Sequence, residues 1–152
     1  MTAARRFEVP GEDGKFFREG CEFLAFPVIE ERFGELGFRF DDVSPWSKCR
    51  GTAGGPAVEF GLILRNAGTT VATCVKEKPG VRDVKRLQEK LEILRECRRG
   101  MGDGRKIQGA VAGAVFGTAQ RKAALDAGFY VIVQFGDTMR MDIPEGFRPK
   151  VW

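Results

Sequence analysis

Val58-Glu59-Phe60-Gly61-Leu62-Ile63-Leu64 and, a few residues on, Val71-Ala72-Thr73-Cys74-Val75-Lys76 are the two apolar runs on which the fold turns. Gly54-Gly55-Pro56 bounds the first run, Asn66-Ala67-Gly68 separates the two, and Pro79-Gly80 stops the second. β-Branched and aromatic residues suit a pleated, half-buried surface, so both runs read as strands, and the short polar gap predicts an antiparallel hairpin. Immediately beyond, Val81, Val84, Leu87, Leu91 and Leu94 recur at the spacing of one helix face. That helix should end near Gly100, with basic residues crowding its last turn.

Working outward from the hairpin, Met101-Gly102-Asp103-Gly104 reads as a turn and Lys106 to Phe116 as a buried strand. Its small-residue run, Gly109 to Ala114, would let a helix approach closely. Thr118 is expected to cap a short helix reaching Ala127, Gly128 to end it, and Phe129 to Phe135 to form a strand, with Thr138 to Ile143 returning as a last one. Upstream, Phe16, Phe17, Gly20, Phe23 and Leu24 follow Asp13 at helical spacing. Pro27 suits the first turn of a second helix containing Val28, Ile29, Phe33 and Leu36, closed by Gly34 and Gly37. Phe38-Arg39-Phe40 alternates like a short strand, whereas Asp41, Asp42, Ser44 and Pro45, and then Ser47 to Pro56, carry loop residues. Residues 1–12 read as a flexible leader and 13–152 as a single domain. The order of elements predicts an α/β protein with a central mixed sheet and helices on both faces.

Composition narrows the function classes. With 152 residues, 43% hydrophobic and 30% charged, the chain fits one soluble domain. No apolar run is long enough to span a bilayer, and the amino terminus has no hydrophobic stretch behind its two arginines, so the expected location is cytoplasmic. The chain has no histidine, which excludes Ser-His, Cys-His and histidine-ligated metal mechanisms within it. Cys21, Cys49, Cys74 and Cys97 form no C-x-x-C pair, which argues against a zinc ribbon and for small core residues. A net charge of +4 permits a nucleic-acid partner without demanding one.

The hairpin followed by a helix resembles the central unit of the PD-(D/E)XK nucleases, in which one strand presents an Asp and the next an E-x-K. The segment Gly128-Phe129-Tyr130-Val131-Ile132-Val133-Gln134-Phe135-Gly136-Asp137 and the closing Pro144-Glu145-Gly146-Phe147-Arg148-Pro149-Lys150 are similar to small bacterial members. The resemblance runs from about Phe16 to Trp152 and implies a three-layer α/β/α, restriction-endonuclease-like fold. In that family the Asp and Glu hold a divalent cation while the Lys steadies the attacking water or the charge developing on phosphate. Laid on this sequence, the Asp position falls on Gly61, the Glu position on Cys74 and the Lys position on Lys76. Gly supplies no ligand and a thiolate is a soft donor ill suited to magnesium, so the resemblance implies a nuclease scaffold without nuclease chemistry and with no resident metal.

Three functional readings follow. In the first, a catalytically degenerate scaffold keeps nucleic-acid binding, DNA or RNA, through Lys76 and a basic rim of Lys48, Arg50, Lys78, Arg82 and Arg86. Lys85 belongs to the same rim, and the alternative for the whole of it is an ordinary solvated helix face, on which Asp83, Glu89 and Glu92 dilute the positive charge. In the second, the acid has migrated to Glu59, which strict strand alternation places on the face of Gly61 and Ile63 and near Lys76. Glu59, Lys76 and Gln134, helped by Glu22 or Glu30, would then hold Mg²⁺ or Mn²⁺. The bland alternative for Glu59 is an ion pair with Lys76 or Lys78. In the third, the chain is an interaction or homodimer module, favoured by an exposed surface around Phe16, Phe17 and Phe135. Cys74 reads as a core filler rather than a nucleophile, and Asp137 as either a site or a turn residue.

Overall fold

Six strands pair in chain order into one open mixed sheet, β1 (Asp42–Arg50), β2 (Ala57–Arg65), β3 (Thr69–Val75), β4 (Lys106–Gly113), β5 (Tyr130–Phe135) and β6 (Thr138–Met141). The computed structural model describes residues 22–50, 55 and 57–152. The leader at 1–12 and the helix expected from Asp13 therefore lie outside the described residues, apart from Glu22–Ala25, a 3₁₀ turn. β1, β2 and β3 run antiparallel in turn, β3, β4 and β5 run parallel, and β6 returns antiparallel on β5.

Parallel neighbours need a crossover, and two helices supply it: α2 (Val81–Gly100) joins β3 to β4, and α3 (Thr118–Asp126) joins β4 to β5. Both pack on one face of the sheet. α1 (Phe26–Glu35) covers the other. Ile29 and Phe33 of α1 share a core with Leu62, Leu64, Val71, Ala110, Ala112, Tyr130 and Ile132. Val84, Leu87, Leu91 and Leu94 of α2 share the opposite core with Ile63, Ala72, Ile107, Val111 and Val131. The sorting follows the two-residue period of a pleat, Val71 against Ala72, Val111 against its neighbours, Tyr130 against Val131. Gly109 shows why β4 is rich in small residues: an added Cβ would lie 2.7 Å from the Phe129 ring and 2.9 Å from Leu91 Cδ1.

Two expectations for the upstream region are overturned. Phe38-Arg39-Phe40 forms no strand. Gly37, at φ +98°, closes α1 with the bonds Gly37 N–H to Gly34 O and Phe38 N–H to Phe33 O, and the Phe33 and Phe38 rings meet edge-on at 5.6 Å. This is a Schellman closure whose apolar contact accounts for Phe38, while Phe40 stacks on Phe38 at 5.2 Å. The stretch from Asp42 to Arg50, expected to be loop, is instead edge strand β1, pinned at its start by Arg65, which donates to Asp42 at 2.6 and 2.9 Å. An edge strand leaves one backbone side unpaired, so Pro45 is tolerated there. Downstream, β4 stops at Gly113 rather than Phe116, and the N-cap of α3 is Gly117, with Thr118 its first helical residue.

Candidate functional site

The β2–β3 ladder extends from Arg65↔Thr70 to Leu62↔Thr73 and there it stops. Beyond that point β2 continues to pair only with β1, down to Ala57↔Arg50, while β3 pairs with β4 through Val75↔Ala112. The sheet forks. A cavity of about 270 Å³ occupies the fork, and Gly61, Cys74 and Glu59, all singled out in the sequence, line it together with Trp46, Thr73, Asp83, Arg86 and Lys90.

Strand alternation slips in this fork. Phe60 and Ile63 both belong to the α2-side core, although three residues apart, and Leu62 and Leu64 belong to the α1 side. The slip falls at Gly61, whose hypothetical Cβ would meet Val75 at 3.5 Å, on the α1 side. Across β1 the matching irregularity is Trp46, whose φ of 49° is left-handed. Glu59 consequently does not share a face with Ile63, and its ion pair is made neither with Lys76, which is held by Asp83, nor with Lys78. Its carboxylate pairs with Lys48 at 3.9 Å, and its carbonyl accepts a hydrogen bond from Lys90 Nζ at 2.8 Å.

Lys76 stands just past β3, where its ammonium donates to both oxygens of Asp83 at 3.1 and 3.2 Å. Asp83 is the third residue of α2 and reaches back to accept the N–H of the N-cap, Gly80, at 2.7 Å. Burial pushes its carboxyl up, but the Gly80 hydrogen bond and the charges of Lys76 and Lys90 outweigh that and hold it below the ordinary value of 3.8. Burial, reinforced by the Asp83 charge, pushes the Cys74 thiol up despite Lys90 and Lys76, so it is protonated at neutral pH. That agrees with a filler and not with a nucleophile.

The remaining candidates are dispersed. Arg86 lines the cavity and has no ion-pair partner among the described residues. Arg82 is exposed in the first turn of α2, Lys78 is exposed in the β3–α2 connection, and Arg50 is exposed at the end of β1. Gln134 is two strands away on β5, paired across to Met139, and its Nε2 donates to Gly136 O at 3.1 Å. Asp137 occupies, with Gly136, the two-residue turn between Phe135 and Thr138. Glu22 lines the fork, but Glu30 lies in a separate depression between α1 and Phe40. Among the described residues no three His, Cys, Asp or Glu side chains converge as a metal site. The residues present thus do not fit a hard divalent cation, because Gly61 and Cys74 offer no carboxylate where the resemblance expects two.

Sequence reasoning missed Trp46, Thr73, Asp83 and Lys90 as site residues. Asp83 had a signal, the N-cap spacing Gly80-Val81-Arg82-Asp83, and Gly61 inside an apolar strand was the mark of an irregularity. Trp46 had none, since its strand was read as loop. No family model, curated protein or solved structure matches the chain. No helix among the described residues is long and apolar enough to cross a membrane.

Proposed function

We propose that this chain is a catalytically degenerate PD-(D/E)XK nuclease-like protein, of the three-layer restriction-endonuclease-like class, that retains nucleic-acid binding through phosphate contacts. The observation that carries this reading is that Gly61 and Cys74, the positions where the resemblance calls for metal-binding acids, line one cavity at the point where β2 and β3 part. Without those carboxylates the cavity lacks the two acids that hold the water-activating cation in that family, and Lys76, engaged by Asp83, is left as a phosphate or structural contact. Arg86 inside the cavity, with Arg82 one turn earlier, offers charge for phosphate oxygens.

Restoring the acids tests the reading. At Gly61 an added Cβ meets nothing closer than 3.5 Å, and the residue is not in the left-handed region, so Asp can be built there. The double variant Gly61→Asp, Cys74→Glu should bind Mn²⁺ that the parent chain does not. Failure of a correctly folded double variant to gain any Mn²⁺ affinity counts against the assigned scaffold. A rearranged metal site on Glu59 is less well supported, because Glu59 faces Lys48 across the β1–β2 pair.

A further inference from the structure

The forked cavity holds features that phosphate contacts alone do not use. Trp46 is the non-glycine residue with a left-handed φ among those described, its side chain is 56% exposed, and its ring sits edge-on to Phe26 at 5.6 Å on the cavity lining. The strained backbone leaves one ring edge on Phe26 and much of the indole open to solvent. Thr73, in the same lining, is 0% exposed, and its hydroxyl has no hydrogen-bond partner among the described residues. A buried hydroxyl left unsatisfied costs stability; Thr70 shares that state inside the regular ladder, whereas Thr73 has it in the cavity lining.

The charges around the cavity are largely spoken for. Asp83 is paired with Lys76, Glu59 with Lys48, and Lys90 is bonded to the Glu59 carbonyl. Arg86 is left as the cation facing the space without an ion pair, and Glu22 as an acceptor on the rim. At about 270 Å³ the cavity is at the small end of ligand sites, too small for a duplex and fit for one planar, polar ring.

We propose that the fork between β2 and β3 is a pocket for a single unpaired nucleobase, stacked on Trp46, hydrogen-bonded by Thr73 and tethered through its phosphate to Arg86. A base suits this lining because its ring has a π-face for Trp46 and its edge carries both donors and acceptors for Thr73 and Glu22. The proposal rests on the nucleic-acid-binding reading above and sharpens it, from any phosphodiester to single-stranded nucleic acid with an accessible base.

The test uses a Trp152→Phe background, in which Trp46 is the sole tryptophan; Trp152 stacks on Phe129 at 5.2 Å, and Phe preserves that contact. Tryptophan emission and anisotropy are followed during titration with labelled hexadeoxyadenylate and with a six-unit abasic strand of equal charge. The expected result is saturable quenching by the base-bearing strand, about tenfold weaker binding of the abasic strand, and a similar loss in Trp46→Ala. Equal affinity for both strands with unchanged emission overturns the base pocket while leaving phosphate binding in place. Binding of neither strand overturns both the pocket and the function on which it rests. The strand comparison needs no mutation in the cavity, so a variant that misfolds does not spare the proposal.

Discussion

Asp83 ties together the candidate site and the start of α2, and its removal should move stability and anion affinity in opposite directions. Asp83→Asn deletes the charge but leaves an oxygen able to accept from Gly80 N–H, whereas Asp83→Ala deletes both. The Lys76 pair is solvent-screened, with side chains 56% and 22% exposed, so it is worth no more than about 0.5 kcal/mol. The carboxylate at the helix N-terminus adds roughly 0.3–1 kcal/mol through the helix dipole. Asp83→Asn should therefore cost about 1 kcal/mol, and Asp83→Ala, which also loses the capping bond, about 2 kcal/mol. In a domain of this size these become Tm losses of roughly 3 and 6 °C. The folded carboxyl is held below its ordinary value of 3.8, so its stabilisation is complete above the unfolded pKa and disappears as pH falls through the folded one. The deficit of Asp83→Asn in urea titrations should be full at pH 7 and shrink steadily below pH 3.8. Nucleic-acid affinity should rise in the same variant, because Lys76 is released and one negative charge leaves the cavity lining. A variant as stable as the parent at pH 7, or one whose deficit persists unchanged in acid, refutes the reasoning.

Other expectations are independent of that residue. Gly109→Ala drives a methyl into the Phe129 ring and Leu91, and should cost about 1–3 kcal/mol by chemical denaturation, with a compensating gain when Leu91 is shortened to Val. Thr73→Val removes an unsatisfied buried hydroxyl, so the unliganded protein should be unchanged or up to about 1 kcal/mol more stable by thermal melting, even as base binding weakens. The Cys49 thiol is pushed up to about 11 by burial and by the adjacent Cys97, so alkylation of the native protein at pH 8 should leave Cys49 unmodified until denaturant is added.

The β2–β3 hairpin, α2 and the β5–β6 turn were legible because each depends on local chemistry: alternation, a 3.6-residue stripe, and glycine at a turn. β1 was not, because Asp42, Ser44 and Pro45 are turn formers that become a strand only when Leu62 to Arg65 are present to pair with them. Phe38 and Phe40 alternate for another reason, the apolar closure of α1 on Phe33. That Gly61 and Cys74 line one cavity follows from the antiparallel pairing of their two strands. The pairing of Glu59 could not be anticipated, since Lys48, its direct cross-strand neighbour, lies on β1, a strand whose residues read as loop. Thr73 illustrates the same limit: in sequence it is one β-branched residue among several, and nothing in the pattern places it in the cavity lining.

The central claim is tested most directly by incubating the purified chain with labelled duplex DNA, single-stranded DNA and RNA, in Mg²⁺ or Mn²⁺ and in EDTA, beside Lys76→Ala. Intact substrate is expected under every metal condition, with a retarded complex that dissolves as salt is raised. Metal-dependent cleavage that vanishes in Lys76→Ala would contradict the degenerate site, and the absence of any retarded complex would contradict nucleic-acid binding.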